Sequence, residues 1–213
     1  MNSGARTMKR DFKKERKDLY SPKAGIFEVS VPPMRFIAVD GRGPLEGGDI
    51  QGKMGVLFNL AYGIKMSRMQ GIQPEGYFEY TVMPPEGLYG TQETPFDPED
   101  ETTWTWKTII RQPDFVDEGF FESIKESVKR KKPEMDLGSA YLFEMEEGRS
   151  VQMLHVGSYR SISESVKKIQ DHIMERGYEV NGPYHEIYLS DPNRVEEDKL
   201  KTIIRFPVVQ RSV

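Results

Sequence analysis

The sequence predicts an α+β fold: two βαββ half-domains related by a pseudo-twofold, antiparallel sheets backed by helices, and a ligand cleft at the seam. Three observations predict it. Strand-like and helix-like stretches follow the order strand, helix, strand, strand, and do so twice. The pentapeptide Lys107-Thr108-Ile109-Ile110-Arg111 recurs as Lys201-Thr202-Ile203-Ile204-Arg205, and a proline stands two residues after each arginine, Pro113 and Pro207. An aromatic strand with a central glutamate precedes each copy, Glu79 in the first half and Glu186 in the second, each with a proline six residues on (Pro85, Pro192).

The elements follow in order. Residues 1–8 read as a leader ending at a second methionine, Met8, and residues 9–213 as one domain. In that domain the first half spans about 25–113, a bridging helix about 117–132 and the second half about 139–210. From Lys9 to Lys23 the cations are interleaved with Asp11, Glu15 and Asp18, the pattern of a solvated helical arm. Phe27–Val39 is strand-like, with Pro32-Pro33 marking an edge or bulge. A glycine-rich loop follows, then a helix with Leu57, Leu60, Ala61 and Ile64 at helical spacing. Tyr77–Val82 reads as a strand closed by a Pro84-Pro85-Glu86-Gly87 turn, and a polar loop leads to strand Trp104–Arg111.

Asp117 caps a helix whose apolar stripe is Phe120, Phe121, Ile124 and Val128. Its basic end, Lys129–Lys132, suits the negative pole of the helix dipole. Strands Ala140–Met145 and Val151–Val156 flank a turn at Glu146-Glu147-Gly148. Ser161-Ile162-Ser163-Glu164 has the form of a capping box for a helix that buries Ile162, Val166, Ile169 and Ile173 and stops at Gly177. Strands His185–Leu189 and Lys201–Val209 complete the chain.

Composition narrows the function. Of 213 residues, 37% are hydrophobic and 30% charged, the proportions of an ordinary globular domain. A net charge of -4 argues against a nucleic-acid partner, which needs a basic surface. With no cysteine there is no disulfide, thiolate nucleophile or Cys-ligated zinc. The best apolar run, Gly55–Ile64, is short and carries Asn59, so no membrane span is expected, and no signal-peptide core is visible. The reading is a cytoplasmic protein. No HExxH spacing, P-loop, GxSxG elbow or dinucleotide fingerprint occurs, so neither metal nor cofactor is expected. A homodimer is left open.

Strand alternation sets Tyr184, Glu186 and Tyr188 on one face of their strand, with His185, Ile187 and Leu189 on the other. If the apolar set meets the helices, a carboxylate between two phenols faces the ligand seam, as a general base or as counter-charge to a cation. A solvated sheet face is the alternative. Glu79 would reach the same cleft from its symmetry-related side. Trp106 and Tyr89 could stack a flat hydrophobic ligand. His155 and His185 lie on strands, where a structural role is the competing reading.

Several segments together resemble one family, the stand-alone GyrI-like proteins. They are MRFIAVDGRG (34–43), PPEGLYG (84–90), WTWKTIIRQPDFV (104–116), VQMLHVGSY (151–159), YHEIYLSDP (184–192) and LKTIIRFPV (200–208). The resemblance implies two βαββ-type units around a cleft that takes hydrophobic or cationic aromatic molecules, with Glu186 meeting the ligand. It further implies hydrolysis of cyclopropane-bearing, DNA-alkylating compounds by some members, or drug binding without turnover in others. As a hydrolase the chain would use Glu186 to orient or deprotonate water, with Tyr188 or His155 stabilising the oxygen that gains negative charge. Glu79, Glu86, Tyr89, Trp106, Tyr184 and His185 become the ligand-binding set. Tyr89-Gly90 stand where the family motif usually has two tryptophans, and Tyr184 stands where a histidine often precedes His185.

Overall fold

A computed structural model describes residues 9–45, 48–90 and 101–211. In chain order the elements are α1 (Phe12–Glu15), α2 (Lys17–Tyr20), β1 (Ile26–Val31), β2 (Met34–Arg42), α3 (Gly48–Met66), β3 (Pro85–Tyr89), β4 (Thr105–Gln112), α4 (Glu118–Lys131), β5 (Tyr141–Met145), β6 (Gly148–Val156), α5 (Ile162–Glu175), β7 (Tyr178–Val180), β8 (Tyr184–Tyr188) and β9 (Lys201–Gln210). The leader expected at 1–8 lies outside the described residues.

The fold is α+β, built on an antiparallel nine-stranded sheet of order β1-β6-β9-β8-β3-β4-β2-β5, with β7 paired to β9. The central seam is the β3–β8 pair, in which Gly87 faces Glu186 and Leu88 faces His185. The sheet is strongly curved. β1 and β2 lie near opposite ends of the strand order, yet only Pro32-Pro33 separates them in sequence. Val31 and Met34 must therefore approach within about 10 Å, so the two sheet edges meet at this corner. A Pro-Pro pair, unable to donate to a ladder, ends β1 and lets the chain jump to the other edge.

Helices α3 and α5 cover the convex face. Val166, Ile169 and Ile173 of α5 pack with Val151, Ile204, Phe206, Tyr184, Tyr89 and Trp106. Lys53 of α3 lies 5.1 Å from the Trp106 ring, on that same side. Leu57, Leu60, Ala61 and Ile64 are fully buried, as the helical spacing predicts, and each of the larger side chains contributes about 1.5–3 kcal/mol by leaving water. Asp117 Oδ1 accepts from the Phe120 N–H at 2.7 Å, so the expected cap of α4 forms.

The concave face is closed by α1 and α2, and here the arm departs from expectation. It is docked rather than solvated: Phe12, Leu19 and Tyr20 are buried. The two arginines of the repeated pentapeptide hold it. Arg205 Nη2 donates to the Leu19 carbonyl at 3.0 Å, and Arg111 Nη1 to Tyr20 Oη at 3.4 Å. The charge pattern marks the arm's outer side, while its three apolar residues fill the bowl.

Other expectations are corrected as well. Residues 77–82 form no strand beyond one bridge, Tyr80 to Arg10; the strand before β4 is Pro85–Tyr89, in place of the expected turn. Proline is admissible as a first strand residue, and Phe78 is drawn off into an edge-on cluster with Phe12 and Phe115. When 107–111 is laid on 201–205, the registers match Pro85, not Glu79, to Glu186. The Ser161 capping box also does not form: Ser161 makes no side-chain cap, and its hydroxyl donates to the Ser158 carbonyl instead. Ser158 caps the preceding short 3-10 turn, Tyr159–Ser161.

Candidate functional site

The site is built at the seam on the convex side, between α3 and α5. Alternation puts Tyr184, Glu186 and Tyr188 of β8 on this face, together with Gly87 and Tyr89 of β3 and Trp106 of β4. The helices lie over the Tyr-Glu-Tyr face, not over His185 and Ile187 as the apolar set suggests. Glu186 is nonetheless not solvated: it is 8% exposed, with Tyr184 at 2% and Tyr89 at 5%.

The carboxylate is held by phenols. Tyr184 Oη donates to Glu186 Oε1 at 2.5 Å, and the Tyr188 hydroxyl bonds both the same carboxylate and the Tyr89 hydroxyl. Burial raises the Glu186 pKa above the usual carboxylate range, opposed by the bonds from Tyr184 and Tyr188 and by the charge of His185. Burial, reinforced by the Glu186 charge, holds the Tyr184 and Tyr188 phenols well above their ordinary value, so both stay protonated donors. Gly87 opposes Glu186 because nothing larger fits: a Cβ there would lie 2.7 Å from Tyr89 Oη. Gly41 serves Trp106 in the same way, since a Cβ there would collide with the indole. Around the carboxylate the rings pack in sequence: Tyr184 lies 5.7 Å from Tyr89 and stacks on Phe206 at 5.0 Å, while Tyr159 meets Tyr188 edge-on at 5.9 Å.

The other expected residues divide into three places. Glu86 and His185 lie on the concave face, in a buried ionic chain. His185 Nε2 bonds Glu86 Oε2 at 2.9 Å and Nδ1 bonds Glu147 Oε1 at 3.0 Å. Glu147 Oε2 accepts from Arg205 Nη1 at 2.8 Å, and Arg205 Nε donates to Gln152. Burial works against charge on His185, but the Glu147 and Glu86 carboxylates overcome it and raise its pKa to about 9. Burial likewise opposes ionisation of Glu147, yet His185 and Arg205 hold its pKa down to about 2. The two carboxylates reach different nitrogens of one ring and do not converge on a shared point. Among the described residues no group of three His, Cys, Asp or Glu could hold a metal ion.

His155 shares the convex face, but both ring nitrogens are taken: Nδ1 bonds Ser165 Oγ at 2.9 Å and Nε2 the Ser158 carbonyl at 3.1 Å. It pins the start of α5 to β6. Glu79 is ion-paired to Arg68 on a segment outside the sheet. Sequence reasoning missed Glu147, Arg205 and Tyr159. Only Arg205 carried a signal, as the last residue of the repeat.

A curved antiparallel sheet with two helices over a carboxylate enclosed by phenols defines the architecture of this α+β domain. The sequence model of the GyrI-like small molecule binding domain matches residues 26–209, and the chain belongs to the GyrI-like family. No curated protein matches it. An uncharacterized conserved protein from Listeria innocua is 40% identical with a TM-score of 0.88, covering 94% of this chain and all (100%) of its own. A hydrolase encoded by lin2189 from Listeria innocua is 39% identical with a TM-score of 0.87, covering 95% of this chain and 100% of that one. The EcmrR C-terminal domain, at 13% identity and a TM-score of 0.55 over 88% of this chain and 98% of its own, shares the fold. Among the described residues no helix is long and apolar enough to cross a membrane.

Proposed function

We propose that this protein hydrolyses flat, hydrophobic, electrophilic molecules of the cyclopropane-bearing type and so protects the cell that makes it. The observation that carries the reading is the Glu186 carboxylate, buried among phenols on the helix side of the seam. Two structural relatives named as hydrolases, at 39% and 38% identity, support it.

In this reaction Glu186 takes a proton from water as the water oxygen attacks a ring carbon. The strained carbon–carbon bond breaks, and its electron pair moves onto the substrate's conjugated carbonyl oxygen. The Tyr188 hydroxyl, released from Glu186 once that carboxylate holds the water proton, turns to stabilise that oxygen, which finally takes up the proton, leaving a ring-opened alcohol heavier by one water. Burial makes the ionised Glu186 a stronger base than an exposed carboxylate. Strain in the substrate supplies much of the driving force, so positioning is the protein's main task. Trp106, Tyr89 and Tyr184 form the stacking wall.

The test is incubation with a cyclopropanoid alkylator followed by mass analysis. A gain of one water, slowed about 10²–10⁴-fold by Glu186→Gln, is expected. A second reading has its own observation: a buried carboxylate ringed by aromatics also suits a flat cation held without turnover. It is favoured if the wild type leaves the alkylator's mass unchanged while Glu186→Gln weakens only cationic ligands.

A further inference from the structure

His185 and Glu186 are consecutive, so their side chains leave β8 on opposite faces. Beneath Glu186, on the concave side, His185 is fully enclosed. Glu86 of β3 and Glu147 of the β5–β6 turn take its two nitrogens, Arg205 of β9 takes the far oxygen of Glu147, and the Leu19 carbonyl closes over Arg205. Tyr20 of α2 and Arg111 of β4 stand beside this chain, and Gln152 of β6 ends it. On the convex side the titratable groups facing Glu186 are Tyr89, Tyr159, Tyr184 and Tyr188. They are all neutral phenols.

We propose that His185 is a positioning residue for Glu186: its buried imidazolium, held between Glu86 and Glu147, fixes β8 at the seam and sets, through one strand, the charge state in which Glu186 meets its ligand. With His185 charged, the chain Glu86, His185, Glu147, Arg205 alternates in sign and sums to zero. An alternating chain is the arrangement in which buried charges least penalise one another. Glu86 Oε1 is buried without a hydrogen-bond partner among the described residues, so His185 is the charged group that answers Glu86. Losing the positive charge leaves a net negative chain under Glu186; losing Glu86 leaves a net positive one. A low-dielectric interior lets either imbalance act across a strand's thickness.

For its catalytic consequence the proposal rests on the hydrolase reading; its electrostatics do not. The experiment therefore has two readouts. The first is a titration of glutamate carboxyl ¹³C resonances in the full-length protein, with Glu186 assigned from Glu186→Gln. His185→Gln is expected to raise the Glu186 midpoint by about half a pH unit or more, and Glu86→Gln to lower it. The second readout is the pH profile of kcat/KM for hydrolysis of the cyclopropanoid alkylator. Its acid limb should move with the NMR midpoint in each variant, and His185→Gln should recover rate at higher pH. Opposite shifts cannot come from loosened packing, which lowers rate at every pH. Equal or absent shifts in the two variants overturn the proposal. If His185→Gln does not fold, the sign of the Glu86→Gln shift decides it. Absence of turnover in the wild type refutes the hydrolase reading, while the NMR midpoints still decide the electrostatic coupling.

Discussion

His185 and Glu186 share a peptide bond, yet one is sealed in an ionic chain under the sheet and the other in a phenolic cage above it. A strand is thin enough that a charge on one face is a near neighbour of a charge on the other. The two layers of this protein are thus electrostatically joined at the seam, where the two halves of the sheet meet.

The ionic chain gives stability a definite pH window. The raised pKa of His185 adds stability that is full below its unfolded value of 6.5 and is lost as pH rises through about 9. The lowered pKa of Glu147 adds stability that is full above its unfolded value of 4.5 and is lost as pH falls toward about 2. The raised pKa of Glu186 by itself removes stability as pH rises above 4.5, so the chain's window is read from Glu186→Gln, whose denaturant midpoints should be highest between those unfolded values and decline on both sides. Replacing Glu147 by Gln should reduce the acid decline, to which the lowered pKa values of Glu15 and Asp18 also contribute, and cost about 3–5 kcal/mol, because it strands Arg205 and His185.

Gly41 leaves room for the Trp106 indole. Gly41→Ala drives a methyl group into that ring, so the indole must move. A loss of about 1–3 kcal/mol is expected in the unfolding midpoint, with red-shifted tryptophan emission as the ring meets water. Unchanged emission and stability would show that Trp106 tolerates displacement.

His155 anchors α5 through Ser165 and Ser158. His155→Ala should lower stability by about 1–3 kcal/mol, read from thermal melts, since it leaves the buried Ser165 hydroxyl without its partner. Selective loss of turnover at full stability would instead return His155 to the oxyanion-stabilising role expected from the sequence.

Trp106 lies in the aromatic wall beside the buried carboxylate. Titration with a planar cationic dye should quench tryptophan emission in a saturable way, and Trp106→Phe should remove most of the change. Glu186→Gln should weaken the dye about tenfold or more, as expected when a desolvated counter-charge is lost. Quenching that never saturates would mean collisional contact at the surface.

Much of the architecture was legible in local patterns. The helical spacing of Leu57, Leu60, Ala61 and Ile64, the Asp117 cap and the recurrence of 107–111 at 201–205 each locate an element the structure contains. The strand of the first half was not. Tyr77–Val82 has the composition of a strand, but Phe78 and Tyr80 are claimed by an aromatic cluster with Phe12 and Phe115. Pro84-Pro85 looks like a turn, but a first-position proline leaves the rest of Pro85–Tyr89 free to pair on both sides.

Alternation along Tyr184–Tyr188 determined by itself that Glu186 stands with two tyrosines and His185 stands opposite. Which face lies beneath the helices was decided only by tertiary structure. Period-two patterning states which residues share a side but not which side is inward, and both sides of β8 are buried. The curvature that joins the sheet edges at Pro32-Pro33 creates the bowl, and the arm residues Phe12, Leu19 and Tyr20 fill it. Glu147 shows the same limit. It reads as one residue of a polar turn, and only the closing of that corner brings it against His185 and Arg205, partners far away in sequence.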